Sequence, residues 1–287
     1  MHRKILSALA VLGFILSGCQ PGTSATETPT SISTVNMTET RPPPDVPTPT
    51  PTLEATPTSA ATEHPPERPQ EAISITEPGP GSLVANPIRV AGVADPTFEQ
   101  NLVIRVILED GTELMQTSTI IQADIGQRGE FEAEVSIDLE TERNIFIQVY
   151  ASSPRDGNIT HLSSTVVMFS PEGTRDIITQ EPQPERIAIL QPQAGEMISG
   201  GVARVEGFAL ATFEQTLIIV IQDAAGNIVG SGSITVQSPD VGQPGPFSVD
   251  VAYTITESGP GRIVILDPSP AFEGDTHVNS VEVDLEP

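Results

Sequence analysis

From residue 71 onward the chain reads as short apolar runs separated by turns, with a period of two wherever a period can be read. Glu130 to Asp138 is the cleanest case: Phe131, Ala133, Val135 and Ile137 alternate with Glu130, Glu132, Glu134, Ser136 and Asp138. Only an extended strand sends successive side chains to opposite faces, so this stretch predicts a half-buried strand. Phe247, Val249, Val251 and Tyr253 repeat the pattern, with Ser248 and Asp250 pointing outward. Leu102 to Leu108 and Leu217 to Ile221 are denser apolar runs that suit central strands. Glu109-Asp110-Gly111-Thr112 and Ala224-Ala225-Gly226-Asn227 supply Gly-containing hairpin turns behind them.

These runs occur twice. Ile73, Ile75, Pro78 and Gly81 match Ile187, Ile189, Pro192 and Gly195 at an offset of 114. Gly92, Ala94 and Thr97-Phe98-Glu99-Gln100 match Gly207, Ala209 and Thr212-Phe213-Glu214-Gln215 at 115. Gly126-Gln127, Gly129 and Phe131 match Gly242-Gln243, Gly245 and Phe247 at 116. One long unit matched twice indicates domain duplication, because a solenoid shows shorter periods. With about seven strands per unit and no helical periodicity, each unit predicts an antiparallel sandwich. The fold class expected is all-β: two tandem immunoglobulin-like β-sandwiches after a disordered Thr/Pro-rich stalk. The divisions are a leader over 1–18, a stalk over 19–70, sandwiches over 71–170 and 186–287, and a Pro-containing linker over 171–185.

The first residues carry an address. His2-Arg3-Lys4 precedes a nearly continuous apolar run from Ile5 to Leu16, too short to span a membrane, and Leu16-Ser17-Gly18-Cys19 follows. This arrangement resembles a bacterial lipoprotein signal peptide with its lipobox. The resemblance implies cleavage before Cys19, a diacylglycerol on its sulfur, and an extracytoplasmic protein anchored to the cell membrane. Residues 20–70 are rich in Thr, Pro, Ser, Ala and Glu, and Pro47 to Thr52 alternates strictly. Such a segment buries too little surface to offset ordering of its backbone, so it reads as an extended spacer.

Composition removes several chemistries. The formal charge is −25, and the two repeat regions hold most of it, so phosphate backbones are repelled and nucleic acid is not an expected partner. Lys4 is the only lysine and lies in the leader, which excludes Schiff-base catalysis in a cleaved chain. Cys19 is the only cysteine, so no intrachain disulfide or cysteine metal site can form.

Each repeat also resembles the Gmad-type domain, an immunoglobulin-like domain associated with bacterial sporulation and spore-germination proteins. The residues carrying the resemblance are Ile75 to Pro78 and Ile189 to Pro192, the Val-x-Gly strands at Val90 and Val205, Phe98-Glu99 and Phe213-Glu214, and the Gly-x-Phe strands ending in Phe131 and Phe247. The resemblance implies an immunoglobulin-like fold and an envelope setting linked to sporulation or germination-type processes. It implies no defined activity and no residue-level site.

Candidate site residues are few. Phe98 and Phe213 are expected to plug the core where a strand begins, with Glu99 and Glu214 capping loop N–H groups; the competing reading makes the two glutamates ligand contacts. His161 and His277 occupy equivalent positions ahead of the last strand, one per repeat, and without a second histidine or a cysteine neither reads as a zinc ligand. Asp156-Gly157-Asn158 and Glu273-Gly274-Asp275 are acidic turns that could offer oxygens to calcium, but such turns are ordinary hairpin chemistry. No Gly-x-Ser-x-Gly, His-Glu-x-x-His or phosphate loop occurs. The expectation is therefore no catalytic residue, no metal and no cofactor. The function expected is a non-enzymatic module of the cell envelope that either binds or serves as a structural spacer, and the partners expected are the membrane, through the lipid anchor, and an envelope protein or glycan. The alternatives are a cell-envelope hydrolase or a calcium-dependent adhesion module.

Overall fold

The computed structural model describes residues 69–287. The expectations for the leader, for Leu16, Ser17, Gly18 and Cys19, and for the stalk up to residue 68 lie outside the described residues. The described residues belong to one compact unit, Thr62–Pro287.

The first repeat contributes eight strands: β1 (Ile73–Glu77), β2 (Leu83–Val84), β3 (Ile88–Ala94), β4 (Asn101–Ile107), β5 (Glu113–Ile120), β6 (Gly129–Val135), β7 (Arg143–Ser152) and β8 (Ile159–Phe169). The second repeats the series as β9 (Ile187–Gln191), β10 (Met197–Ile198), β11 (Val202–Ala209), β12 (Thr216–Gln222), β13 (Ile228–Thr235), β14 (Gly245–Ala252), β15 (Gly259–Pro268) and β16 (Asp275–Leu285). In each copy a three-stranded sheet, β1-β3-β6 or β9-β11-β14, faces a four-stranded one, β5-β4-β7-β8 or β13-β12-β15-β16. The short strands β2 and β10 add in parallel to β8 and β16.

The alternation read from the sequence sets the layers. On β6, Phe131 and Val135 are buried while Glu130, Glu132 and Glu134 are exposed. Ile73, Val90, Leu102, Ile104, Phe131 and Ile145 meet between the sheets of the first copy. Ile187, Val205, Leu217, Ile219, Phe247 and Ile263 do so in the second. Each such side chain contributes roughly 1.5–3 kcal/mol by leaving water.

The two sandwiches do not sit as beads on a string. β8 and β16 pair antiparallel through Leu162 with Val278 and Ser163 with His277, which joins the four-stranded sheets into one ten-stranded sheet. The offset of 116 makes Leu162 and Val278 equivalent residues, so the seam runs along a pseudo-two-fold axis. Residues 171–185, read as a linker, run back along the first sandwich. Leu83 and Asp176 exchange backbone hydrogen bonds of 2.9 and 2.8 Å, and Gly79 N donates to Ile178 O at 2.7 Å.

β7 is buried on both faces from Ile145 to Ala151. One face packs on the core. The other carries Tyr150, which meets Leu162, Val264 and Val278 across the seam.

Candidate functional site

The Phe-Glu-Gln motif does not plug the core. Phe98 and Phe213 are 59% and 57% exposed, and this corrects the sequence expectation. Each begins a single tight turn in which Glu99 and Gln100, or Glu214 and Gln215, take φ between 52 and 57°. Left-handed backbone costs a non-glycine residue about 1–2 kcal/mol, and here two occur in succession in both copies. The third residue of the motif holds the turn. Gln100 is buried, and its Nε2 donates to the carbonyls of Asp124 at 3.2 Å and Gln127 at 3.4 Å. Gln215 reaches the equivalent loop at Ser238 and Asp240. Glu99 and Glu214 are exposed. The glutamine was legible as part of the repeat, but a polar residue beside Phe and Glu carries no burial signal of its own.

The fold assembles a second group that the sequence kept apart. His161 and His277 lie within the last strand of each copy, not ahead of it, and the β8–β16 seam brings their rings edge to face with centroids 4.9 Å apart. Glu71 and Glu185 stand just before β1 and β9 on two short segments that cross at the same axis. Gln70 bridges Pro184, Glu71 N donates to Gln183 O at 2.9 Å, and Glu185 N donates to Pro69 O at 2.8 Å. The carboxylates then exchange backbone partners across the copies. Arg186 N donates to Glu71 Oε2 at 2.9 Å, and Ala72 N donates to Glu185 Oε2 at 3.1 Å.

The remaining oxygen of each carboxylate meets the imidazoles. Glu71 Oε1 lies 2.8 Å from His161 Nε2 and 3.4 Å from His277 Nδ1, and it accepts a 3.0 Å hydrogen bond from Ser163 Oγ. Glu185 Oε1 lies 2.8 Å from His277 Nε2 and accepts from Ile187 N at 3.2 Å. All four residues are buried. Burial pushes the Glu185 carboxyl above its usual range, and burial drives the His277 imidazole down to about 3. At His161 burial also opposes charge, but the hydrogen bond to Glu71 and the fields of both carboxylates outweigh it and raise the imidazole.

This arrangement is not a nucleophilic triad. Such a triad needs the serine hydroxyl on an imidazole nitrogen with the carboxylate behind it, whereas Ser163 donates to the carboxylate. What four converging donors can do is hold protons or a cation. Two grooves open beside them. One of about 430 Å³ is lined by Glu71, Ser163 and His277, and one of about 350 Å³ by His161, Asn279 and Phe98. The equivalence of Glu71 with Glu185 at the repeat boundary was the available signal, but it lies outside the apolar pattern that defines strands.

The acidic turns are engaged in docking. The Asp156 carboxylate accepts from Asn158 N at 2.9 Å and ion-pairs at 3.1 Å with Arg262 of the other copy. Glu273 N donates to Glu109 O at 2.8 Å.

These features define a class: paired immunoglobulin-like sandwiches fused edge to edge. The chain belongs to the Gmad2 family, described as the immunoglobulin-like domain of bacterial spore germination, whose model matches residues 72–158 and 186–272, more than half of the chain. The two tandem copies read from the sequence are those matches. No curated protein matches the chain. Among solved structures, the C-terminal domain of the Streptococcus pyogenes antigen I/II-family protein AspA is 8% identical. That match covers 74% of this chain and 99% of that one, with a TM-score of 0.22.

Proposed function

We propose that this protein is a non-enzymatic lipoprotein of the cell envelope, held outside the cytoplasm through lipidated Cys19, whose fused sandwiches bind an envelope protein or glycan through the Phe98 and Phe213 turns. The observation carrying this reading is that both copies hold an exposed phenylalanine on a strained left-handed turn. The Gln100 and Gln215 side chains pin this strained turn beneath each exposed ring, and such strain accumulates where a surface must be presented in one geometry. An exposed aromatic ring offers a large contact area to a sugar face or an apolar side chain at little conformational cost.

The test uses the full chain and its Phe98→Ala/Phe213→Ala variant, mixed with isolated wall polymer in one arm and with solubilised envelope proteins in the other. Retention in one arm is expected, with loss in the variant. Because both rings are exposed, stability should change by no more than about 0.5 kcal/mol. Retention unchanged in the variant, or none in either arm, sinks the binding surface. The anchor is checked by mass spectrometry of the N-terminal peptide from the native membrane fraction. Lipid on Cys19 with residues 1–18 absent is the expected result, and an intact leader overturns the export reading.

A further inference from the structure

We propose that Glu71, His161, Glu185 and His277 form a metal site that holds one zinc-class divalent cation on the pseudo-two-fold axis and staples the two copies together. One ligand atom from each residue lies within 4.8 Å of every other. Four donors at about 2.0–2.1 Å from zinc in tetrahedral array stand roughly 3.3 Å apart, and the shortest imidazole–carboxylate contacts here are 2.8 Å.

Proton counting supports a cation. All four imidazole nitrogens face oxygen: His161 Nε2 faces Glu71, His161 Nδ1 faces Asn279 Oδ1 at 3.4 Å, and His277 faces Glu185 and Glu71. Two neutral rings carry only two protons, so two lone pairs point at oxygens. Without a metal, two further protons are needed to fill them, one on an imidazole and one on the second imidazole or on a buried carboxyl. One dication takes both lone pairs and balances both carboxylates. Among the described residues no guanidinium does this instead: the nearby Arg186 side chain turns to Asp267 at 2.7 Å and to Ala211 O at 3.2 Å.

The surroundings orient the donors as a metal site requires. The Asn279 amide is fixed by donating to Ile187 O at 2.6 Å and accepting from Ser280 N at 2.7 Å, so its Oδ1 takes the His161 Nδ1 proton and leaves Nε2 as a ligand. Ser163 and the backbone amides of Ala72, Arg186 and Ile187 hold the carboxylates. Two imidazoles favour zinc and its neighbours over calcium or magnesium, which prefer oxygen alone. With all four positions supplied by the protein, the site is structural in type.

The full chain is stripped with chelator and titrated with Co²⁺, then with Zn²⁺. Expected are the visible bands of tetrahedral cobalt, their displacement by zinc at one ion per chain, and a higher thermal midpoint with zinc bound. His277→Gln should abolish the bands. Asn279→Ala keeps every ligand and should retain the bands while weakening zinc binding by about 10- to 100-fold. Folded wild-type chain showing no cobalt bands, or zinc binding equally strong in Asn279→Ala and His277→Gln, overturns the site. If His277→Gln does not fold, the wild-type stoichiometry and the Asn279→Ala affinity decide.

Discussion

Replacing Arg262 with alanine is expected to destabilise the two-sandwich unit by about 3–5 kcal/mol, measured by urea unfolding at neutral pH. Arg262 is fully buried on β15. Its guanidinium meets Asp156 Oδ2 at 3.1 Å, Gln222 Oε1 at 3.1 Å and Glu282 Oε1 at 2.7 Å. Asp156 comes from the other copy, and its side chain is buried as well. Removing the arginine leaves the buried Asp156 carboxylate with only the longer 3.4 Å pair to the partly exposed Arg155, and that penalty exceeds the net worth of the pair.

Two controls separate this cause from lost packing. Asp156→Asn combined with Arg262→Met removes both charges and should recover most of the loss. The deficit of Arg262→Ala should also narrow in acid. Burial pushes the Asp156 carboxyl upward, but the Asn158 amide and Arg262 outweigh it and hold the carboxyl below its usual range. Its contribution to the wild type is therefore fully present above that range and is lost as pH falls below it, through the lowered value of the folded state. A loss below about 1 kcal/mol at neutral pH, or one unchanged by acid, contradicts the account.

The duplicated chain solved the same problem twice with different chemistry. At the offset of 116 set by the histidines, Phe146 and Phe272 stand where Arg262 and Asp156 stand. Their rings pack with centroids 4.3 Å apart beside Ile107. One end of the seam is thus closed by a buried ion pair and the other by an aromatic pair. Neither partner can be exchanged alone without leaving a charge or a cavity.

The second large effect belongs to Gly207. A Cβ there would be driven into the carbonyl oxygen of Ala188 and the ring of Phe247, and Gly92 meets Ser74 and Phe131 in the same way. The register of β9 against β11 shifts next to Gly207, between Glu206 and Gly207, so the neighbouring backbone already crowds the position. The ring is buried and the carbonyl belongs to a paired strand, so neither can move without loosening the sheet. Gly207→Ala should cost about 2–3 kcal/mol. In a unit of this size that lowers the thermal midpoint by roughly 4–12 °C. An unchanged midpoint would mean that the strands can separate here without penalty.

Both predictions show how far the linear pattern reaches. Gly92, Phe131 and their counterparts were visible as Val-x-Gly and Gly-x-Phe elements, and their meeting across β3 and β6 follows from strand pairing within one copy. Phe98 and Phe213 were misplaced because an aromatic residue at the start of a strand reads as core in any hydropathy pattern. Only the two successive left-handed residues turn it outward.

Local pattern was enough for the strands, the duplication and the faces that become core. Those depend on alternation, and alternation is a property of neighbouring residues. The pairing of β8 with β16, the Asp156–Arg262 contact and the convergence of Glu71, His161, Glu185 and His277 needed the tertiary structure. A strand's pattern says which face is buried but not which strand its free edge will meet. His161 and His277 each looked alone because their partners lie about a repeat away in the chain. An edge-to-edge seam on a pseudo-two-fold axis sets equivalent residues side by side, and no single copy contains that information.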